Sequence, residues 1–224
     1  MLVSLVERFG DMQTALDIVA KWTRSAGRVI PMCSQPLDIE ADVSGLDDDP
    51  RVLRSVRGQA AVASTSGAVR LVRLLPEQPA ASAEAVAAIR DADIVTIGPG
   101  SWFSSVLPHL LVPEIVAALN QTDAMVVVML NLLPQAGETP GFSTERHIHV
   151  LSQHAPELQV DYLLADNHIS PSEGERTHLQ RAAERLGAKI AFRDVHQPVP
   201  EGKQAEKHDP DKLATAILEL YRAR

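Results

Sequence analysis

The spacing of apolar positions changes rhythm along this chain. It opens with Leu2, Val3, Leu5 and Val6, an apolar patch with no polar lead-in. Chain ends are usually polar and frayed, so this start predicts an element that packs against something. After Asp11, the residues Ala15, Leu16, Ile18, Val19 and Trp22 fall on one helical stripe. Asp11 supplies an N-cap oxygen, and Gly27 fits the C-terminal cap. Between 28 and 75 the period shortens. Runs at 29–33, 37–43, 59–65 and 69–75 read as strands, with turn signals at Ser44-Gly45 and Ser66-Gly67. The second signal predicts a hairpin, and the acidic stretch 46–50 predicts a loop.

From residue 82 helical and apolar runs alternate. The pattern predicts a helix at 83–92, a strand at 94–97, a helical region at 104–120 and a strand at 124–130. After a loop rich in Pro and Gly come a helix at 144–154, a strand at 160–165, a helix at 172–186, a strand at 189–195 and a helix at 209–222. Several of these strands are apolar throughout, which indicates burial on both faces. The expected class is α/β, with a mainly parallel sheet covered on both sides, the 28–75 β-hairpin region inserted, and one domain spanning 1–224. No internal repeat or low-complexity linker interrupts it.

Composition narrows the partners. Aromatic residues are only 4% of the chain, so the core is built from Ala, Val, Leu and Ile. The net charge of −8 offers no broad positive field, which argues against nucleic acid as the main partner. The single thiol, Cys33, cannot close an internal disulfide. The longest apolar run, 124–130, is far short of the roughly 20 residues of a membrane span. A basic leader and a cleavage site are both missing from the start. A soluble cytoplasmic protein is the expectation, with no membrane partner.

In an open parallel sheet, ligands bind beyond the carboxyl ends of the strands. Four strand ends collect polar residues. They are Gly98-Pro99-Gly100-Ser101, then Asn131 with the 135–142 loop, then Asp166-Asn167-His168, and finally His196. The Gly-Pro-Gly-Ser bend lets backbone amides approach a ligand, and a following helix would aim its N–H groups at a phosphate or carboxylate. A plain strand-to-helix turn is the equal alternative; neither a P-loop nor a dinucleotide fingerprint is present. Asn131 suits a base or sugar contact, or a turn cap. Glu138 and Thr139 could position a ligand hydroxyl, while Ser143 or Thr144 caps the next helix.

Other features have simpler readings. His147 and His154 share a helix face while His149 points elsewhere, so no metal site is expected. Arg51, Arg54 and Arg57 read as a solvated face paired with Asp47 to Asp49. Cys33 reads as a small buried hydrophobe. Asp209 reads as a helix cap, with Lys207 beside it able to reach a phosphate.

Residues 92–113, containing Gly98-Pro99-Gly100-Ser101, residues 131–143, containing Asn131 and Gly137-Glu138-Thr139, and the weaker stretches 27–32 and 208–213 resemble the gluconeogenesis factor family. These proteins are bacterial, CofD-like relatives of 2-phospho-L-lactate transferase. The resemblance runs over essentially the whole chain. It implies a Rossmann-like three-layer α/β/α sandwich. It further implies a regulator of cell shape and cell-wall morphogenesis during gluconeogenic growth, with a nucleotide sugar of the UDP-sugar type as ligand. The alternative it implies is a transferase acting on a phosphate-linked small molecule, and a homodimer stays open. No cofactor is assigned beyond the UDP-sugar ligand. On this resemblance Gly98, Pro99, Gly100, Ser101, Asn131, Glu138, Thr139, Phe142, Asp166, Asn167 and Lys207 form the ligand-binding set, with catalytic residues unassigned. Phe142 stands where many members carry Tyr, and Lys207 where many carry Arg. Family members begin with a strand and a Gly-Gly-Gly-Thr-Gly loop that this chain does not show, so an N-terminally truncated domain with a bare sheet edge is expected. A third reading, an interaction module with a vestigial cleft, follows from that truncation.

Overall fold

The computed structural model describes residues 1–49, 51–134, 139, 141–167, 172–200 and 205–224. Two helices lead, α1 (Leu2–Phe9) and α2 (Met12–Thr23). The Asp11 carboxylate caps α2 by accepting from the Thr14 amide at 2.7 Å. The left-handed cap at the other end falls on Arg24, φ 52, rather than on Gly27. The helices pack on one another and leave Val3, Phe9 and Trp22 exposed, so the opening apolar patch finds only part of the partner it predicts.

The next segment departs most from the expected pattern. Residues 29–33 form no strand; only Cys33 makes a bridge, to Ala81. β1 (Asp38–Ser44) is the middle of a three-stranded antiparallel sheet, flanked by β2 (Leu53–Arg57) and β3 (Ala68–Leu75). The run 59–65, read as a strand, is instead a short helix, α3 (Gln59–Ala63). Its three alanines favour a helix, and Gly58, at φ 100, turns the chain into it. The hairpin expected at Ser66-Gly67 is therefore replaced by the β1 pairings. β2 has four of its five residues exposed, so it shows no clean alternation to read. The arginines in and just before β2 are held as expected, Arg54 by Asp47 and Arg51 by Asp49, while Arg57 turns to Asp38.

The main sheet follows. After α4 (Ala83–Arg90) and β4 (Ile94–Ile97), a π-helical turn (Trp102–Val106) runs into α5 (Leu107–Leu110). α6 (Pro113–Gln121) then begins afresh, because Pro113 starts a helix more readily than it continues one. The helical region expected at 104–120 thus begins earlier and is broken. β5 (Met125–Met129), α7 (Thr144–His154), β6 (Tyr162–Asp166), α8 (Glu173–Glu184), β7 (Lys189–Arg193) and α9 (Pro210–Arg222) complete the chain. β4, β5, β6 and β7 lie side by side in that order, all parallel.

This order has a consequence for the layers. Right-handed crossovers that all step in one direction place their helices on one face. Accordingly Val126 and Val128 of β5 join Leu119, Ile148, Leu151 and Leu179 from that layer. The alternate residues Met125, Val127 and Met129 meet Ala216 and Leu220 of α9 on the other face. Every residue of β5 is buried for that reason. Helices therefore cover both faces of a parallel sheet, with the antiparallel sheet added to the larger core. No single helix among the described residues is long and apolar enough to cross a membrane.

Candidate functional site

The carboxyl ends of β4 and β5 enter a cleft of about 510 Å³. Pro99, Gly100 and Asn131 line it together with Leu132, Leu133 and Pro134, and Glu206 and His208 join the lining from the segment before the last helix. The bend itself is tightly built. Gly98 sits at φ 74, and a Cβ there would lie 3.2 Å from the Met129 carbonyl, so only glycine fits without strain. Asn131 locks Gly100 from both directions. Its Oδ1 accepts the Gly100 amide at 3.3 Å, and its Nδ2 donates to the Gly100 carbonyl at 2.9 Å. The anion-binding reading of this bend thereby loses one donor. The Ser101 carbonyl starts the π-helical turn by accepting from Ser105 and Val106 at 3.0 and 2.9 Å, and its hydroxyl meets that of Ser104.

Glu206 and His208 reach the cleft through a small ribbon. The Gln197 amide donates to the Lys207 carbonyl at 3.0 Å and the Asp209 amide to the Val195 carbonyl at 2.8 Å, with His196 opposite His208. Asp209 then caps α9, as its position in the sequence predicts. Lys207 is exposed on this ribbon between the two lining residues. Burial holds His208 below the ordinary histidine range, against the opposite pull of the Asp166 charge and the Leu130 backbone.

Asp166, at the end of β6, is 2% exposed and serves the scaffold. It accepts from the Val195 amide at 2.9 Å and from His196 Nδ1 at 3.0 Å. Asp194 lies 3.3 Å from the same nitrogen, so Asp166, Asp194 and His196 are grouped closely enough to surround a cation. That position is contested: the Lys212 ammonium already donates to both Asp194 oxygens at 2.9 Å and to the His196 carbonyl. Asn167 follows at the surface, its amide bonded to the Arg193 carbonyl.

The 131–142 loop leads to a different cluster. Phe142 stands edge-on to Phe103 and His147, and the Arg146 guanidinium lies 4.7 Å from its ring centroid. Thr139 is fully buried, and its carbonyl accepts from the Phe142 amide. Neither lines the cleft just described. Glu138 and His168 lie outside the described residues. His147 and His154 do share the buried face of α7, and burial holds both below the usual histidine range. His154 accepts the Val72 amide at 3.2 Å, tying α7 to β3. Cys33 is buried, which pushes its thiol up.

Of the predicted set, then, Pro99, Gly100 and Asn131 meet in the cleft and Lys207 sits on its rim-forming ribbon. Glu206 and His208 escaped sequence reading because that ribbon is paired by tertiary contacts. His208-Asp209-Pro210 registers in the sequence as a helix start and as part of a weak family motif, neither of which assigns His208 to the cleft.

The arrangement of a parallel sheet, a glycine-proline-glycine bend and a carboxyl-edge cleft has close counterparts. The sequence profile of the 2-phospho-L-lactate transferase CofD family matches residues 1–199, and the chain belongs to this family. Proteins carrying the provisional name gluconeogenesis factor are similar to it throughout. Those of two Mycobacterium tuberculosis strains are 50% identical over 224 residues, which is 100% of this chain and 64% of theirs. The Mycobacterium leprae protein is 51% identical over 97% of this chain and 59% of its own. A Deinococcus radiodurans protein is 32% identical over 99% of this chain and 47% of its own. The chain therefore spans less than two thirds of these relatives. A crystal structure of a UPF0052 family member from Bacillus halodurans superposes with TM-score 0.78 at 25% identity, covering 97% of this chain and 70% of that one.

Proposed function

We propose that this chain is the cleft-bearing part of a cytoplasmic gluconeogenesis factor that binds a nucleotide sugar of the UDP-sugar type. Binding, rather than turnover, is its role, and it sets cell shape and cell-wall growth during gluconeogenic metabolism. The observation carrying the ligand assignment is the cleft beyond β4 and β5, whose lining combines apolar Leu132, Leu133 and Pro134 with the polar pair Glu206 and His208. Its volume, about 510 Å³, lies in the range of small-molecule sites. The apolar lining suits the flat faces of base and sugar, and Glu206 is an acceptor for hydroxyl groups. With the Gly100 amide engaged by Asn131 and the His208 ring bonded to the Leu130 backbone, diphosphate recognition falls to Lys207. The names of the mycobacterial relatives support the gluconeogenesis-factor reading. The family profile's name favours the second reading, transfer of a phosphate-linked group.

Thermal-shift titration with uridine diphosphate N-acetylglucosamine tests the first. Ligand at about 100 times its dissociation constant adds near 2.7 kcal/mol. The expected result is a saturable rise in melting temperature that Lys207→Ala and His208→Ala both weaken. No rise at millimolar ligand would overturn the proposal, and product formed from a deazaflavin acceptor and activated phospholactate would establish the transferase reading.

A further inference from the structure

A second hollow, of about 400 Å³, lies between α7 and α8 and shares no lining residue with the carboxyl-edge cleft. Its walls follow from helical spacing. Glu145, His149 and Ser152 stand at i, i+4 and i+7, and His178, Arg181 and Arg185 at i, i+3 and i+7, so each set shares one face. Ala182, between the arginines, keeps the floor low and leaves the space open. Most arginines with a role in this fold are paired, Arg28 with Asp17, Arg54 with Asp47 and Arg73 with Glu40 and Asp42. Among the described residues the guanidinium groups of Arg181 and Arg185, like those of Arg24 and Arg222, have no hydrogen bond or ion pair, and Arg181 and Arg185 line this hollow together. They repel one another one turn apart, and α7 offers them imidazole and hydroxyl groups with Glu145 as its single carboxylate on this wall. A chain of net charge −8 had carboxylates to spare for these positions.

We propose that this hollow is a binding site for a small phosphate-bearing anion. Arg181 and Arg185 are its fork-shaped donors, His149, His178 and Ser152 its neutral hydrogen-bonding partners, and Glu145 an acceptor for a hydroxyl on the same molecule. The volume suits a metabolite. A nucleic acid would need positive charge over a longer track than two arginines provide.

The test is calorimetric titration of the 224-residue chain with inorganic pyrophosphate at low ionic strength. The expected result is saturable one-site binding, weakened by about tenfold or more in the double variant Arg181→Ala, Arg185→Ala, with circular dichroism unchanged. Both side chains are exposed, so the fold does not depend on them. The variant Arg181→Lys, Arg185→Lys keeps the charge but loses the fork, and intermediate affinity is expected. Absence of saturable binding, or equal affinity in the alanine variant, would overturn the proposal. So would tighter binding of a phosphoserine peptide or a duplex oligonucleotide than of pyrophosphate.

Discussion

Histidine charge is the residue-scale property with the most to say about this fold. His147 and His154 are 4% and 9% exposed, and His208 is half-buried behind them in rank. Burial holds each of the three below the ordinary histidine value of about 6.5, most directly in His154, whose Nε2 must stay unprotonated to accept the Val72 amide. An unfolded chain takes up protons as pH falls through that value, while the folded chain does not. The stability from these neutral imidazoles is therefore complete above pH 6.5 and lost progressively below it, until the lowered folded values are reached. Each histidine can contribute a slope of up to about 1.4 kcal/mol per pH unit. Urea titrations at pH 7.5, 6 and 5 should show this decline, and His154→Gln should flatten part of it. Identical midpoints across that range would contradict the assignment. The carboxylates act in a separate window: Asp17, held at about 2 by Arg28, adds stability that disappears only below the ordinary carboxylate range.

At the scale of elements, local signals and tertiary ones can be separated. α8 is a local structure. Ser172 accepts the Glu175 amide, and the Glu175 carboxylate accepts the Ser172 amide at 2.8 Å, a reciprocal cap written entirely in neighbouring residues. Ser172→Ala should cost about 1 kcal/mol in chemical denaturation without altering the carboxyl-edge cleft; a loss of several times that would mean the cap is coupled to the core. α7 and α9 are equally legible, through Ser143 and Asp209. α3 and β2 are not. The 59–65 run carries both alanines and β-branched residues, and its choice of helix depends on Val62 reaching the core beside β1. β2 is chosen by pairing with β1, since its own residues are mostly exposed.

For the whole molecule, the sheet decides where stability lies. β5 has a strand on either side and a helical layer on either face, whereas β4 and β7 are edges. A groove of about 380 Å³ runs along β4 past Val95, Ile97, Ile115 and Leu119. α1 has no buried residue at all. Amide hydrogen exchange should therefore be slowest in β5 and β6, faster in β4, and fastest in α1 and α2. Protection in α1 equal to that of β5 would show that the helical pair is held by more than α2 alone. The groove and the exposed face of Val3, Phe9 and Trp22 are where a molecule of this family, spanning 64% of its mycobacterial relatives, has apolar surface to spare.

The sequence by itself determined the parallel sheet, its helices and the position of the glycine-proline-glycine bend. Each is a local matter: unbroken apolar runs demand burial on two faces, and caps and glycines act on their neighbours. Only the tertiary structure decided which polar groups meet. Asn131 closes on Gly100 across two strands, Glu206 and His208 arrive on a ribbon paired with 195–197, and Arg181 of α8 and Arg185 at its C-terminal cap line a hollow shared with α7. These meetings depend on strand order and on crossovers that stack successive helices on one face, which no residue spacing encodes.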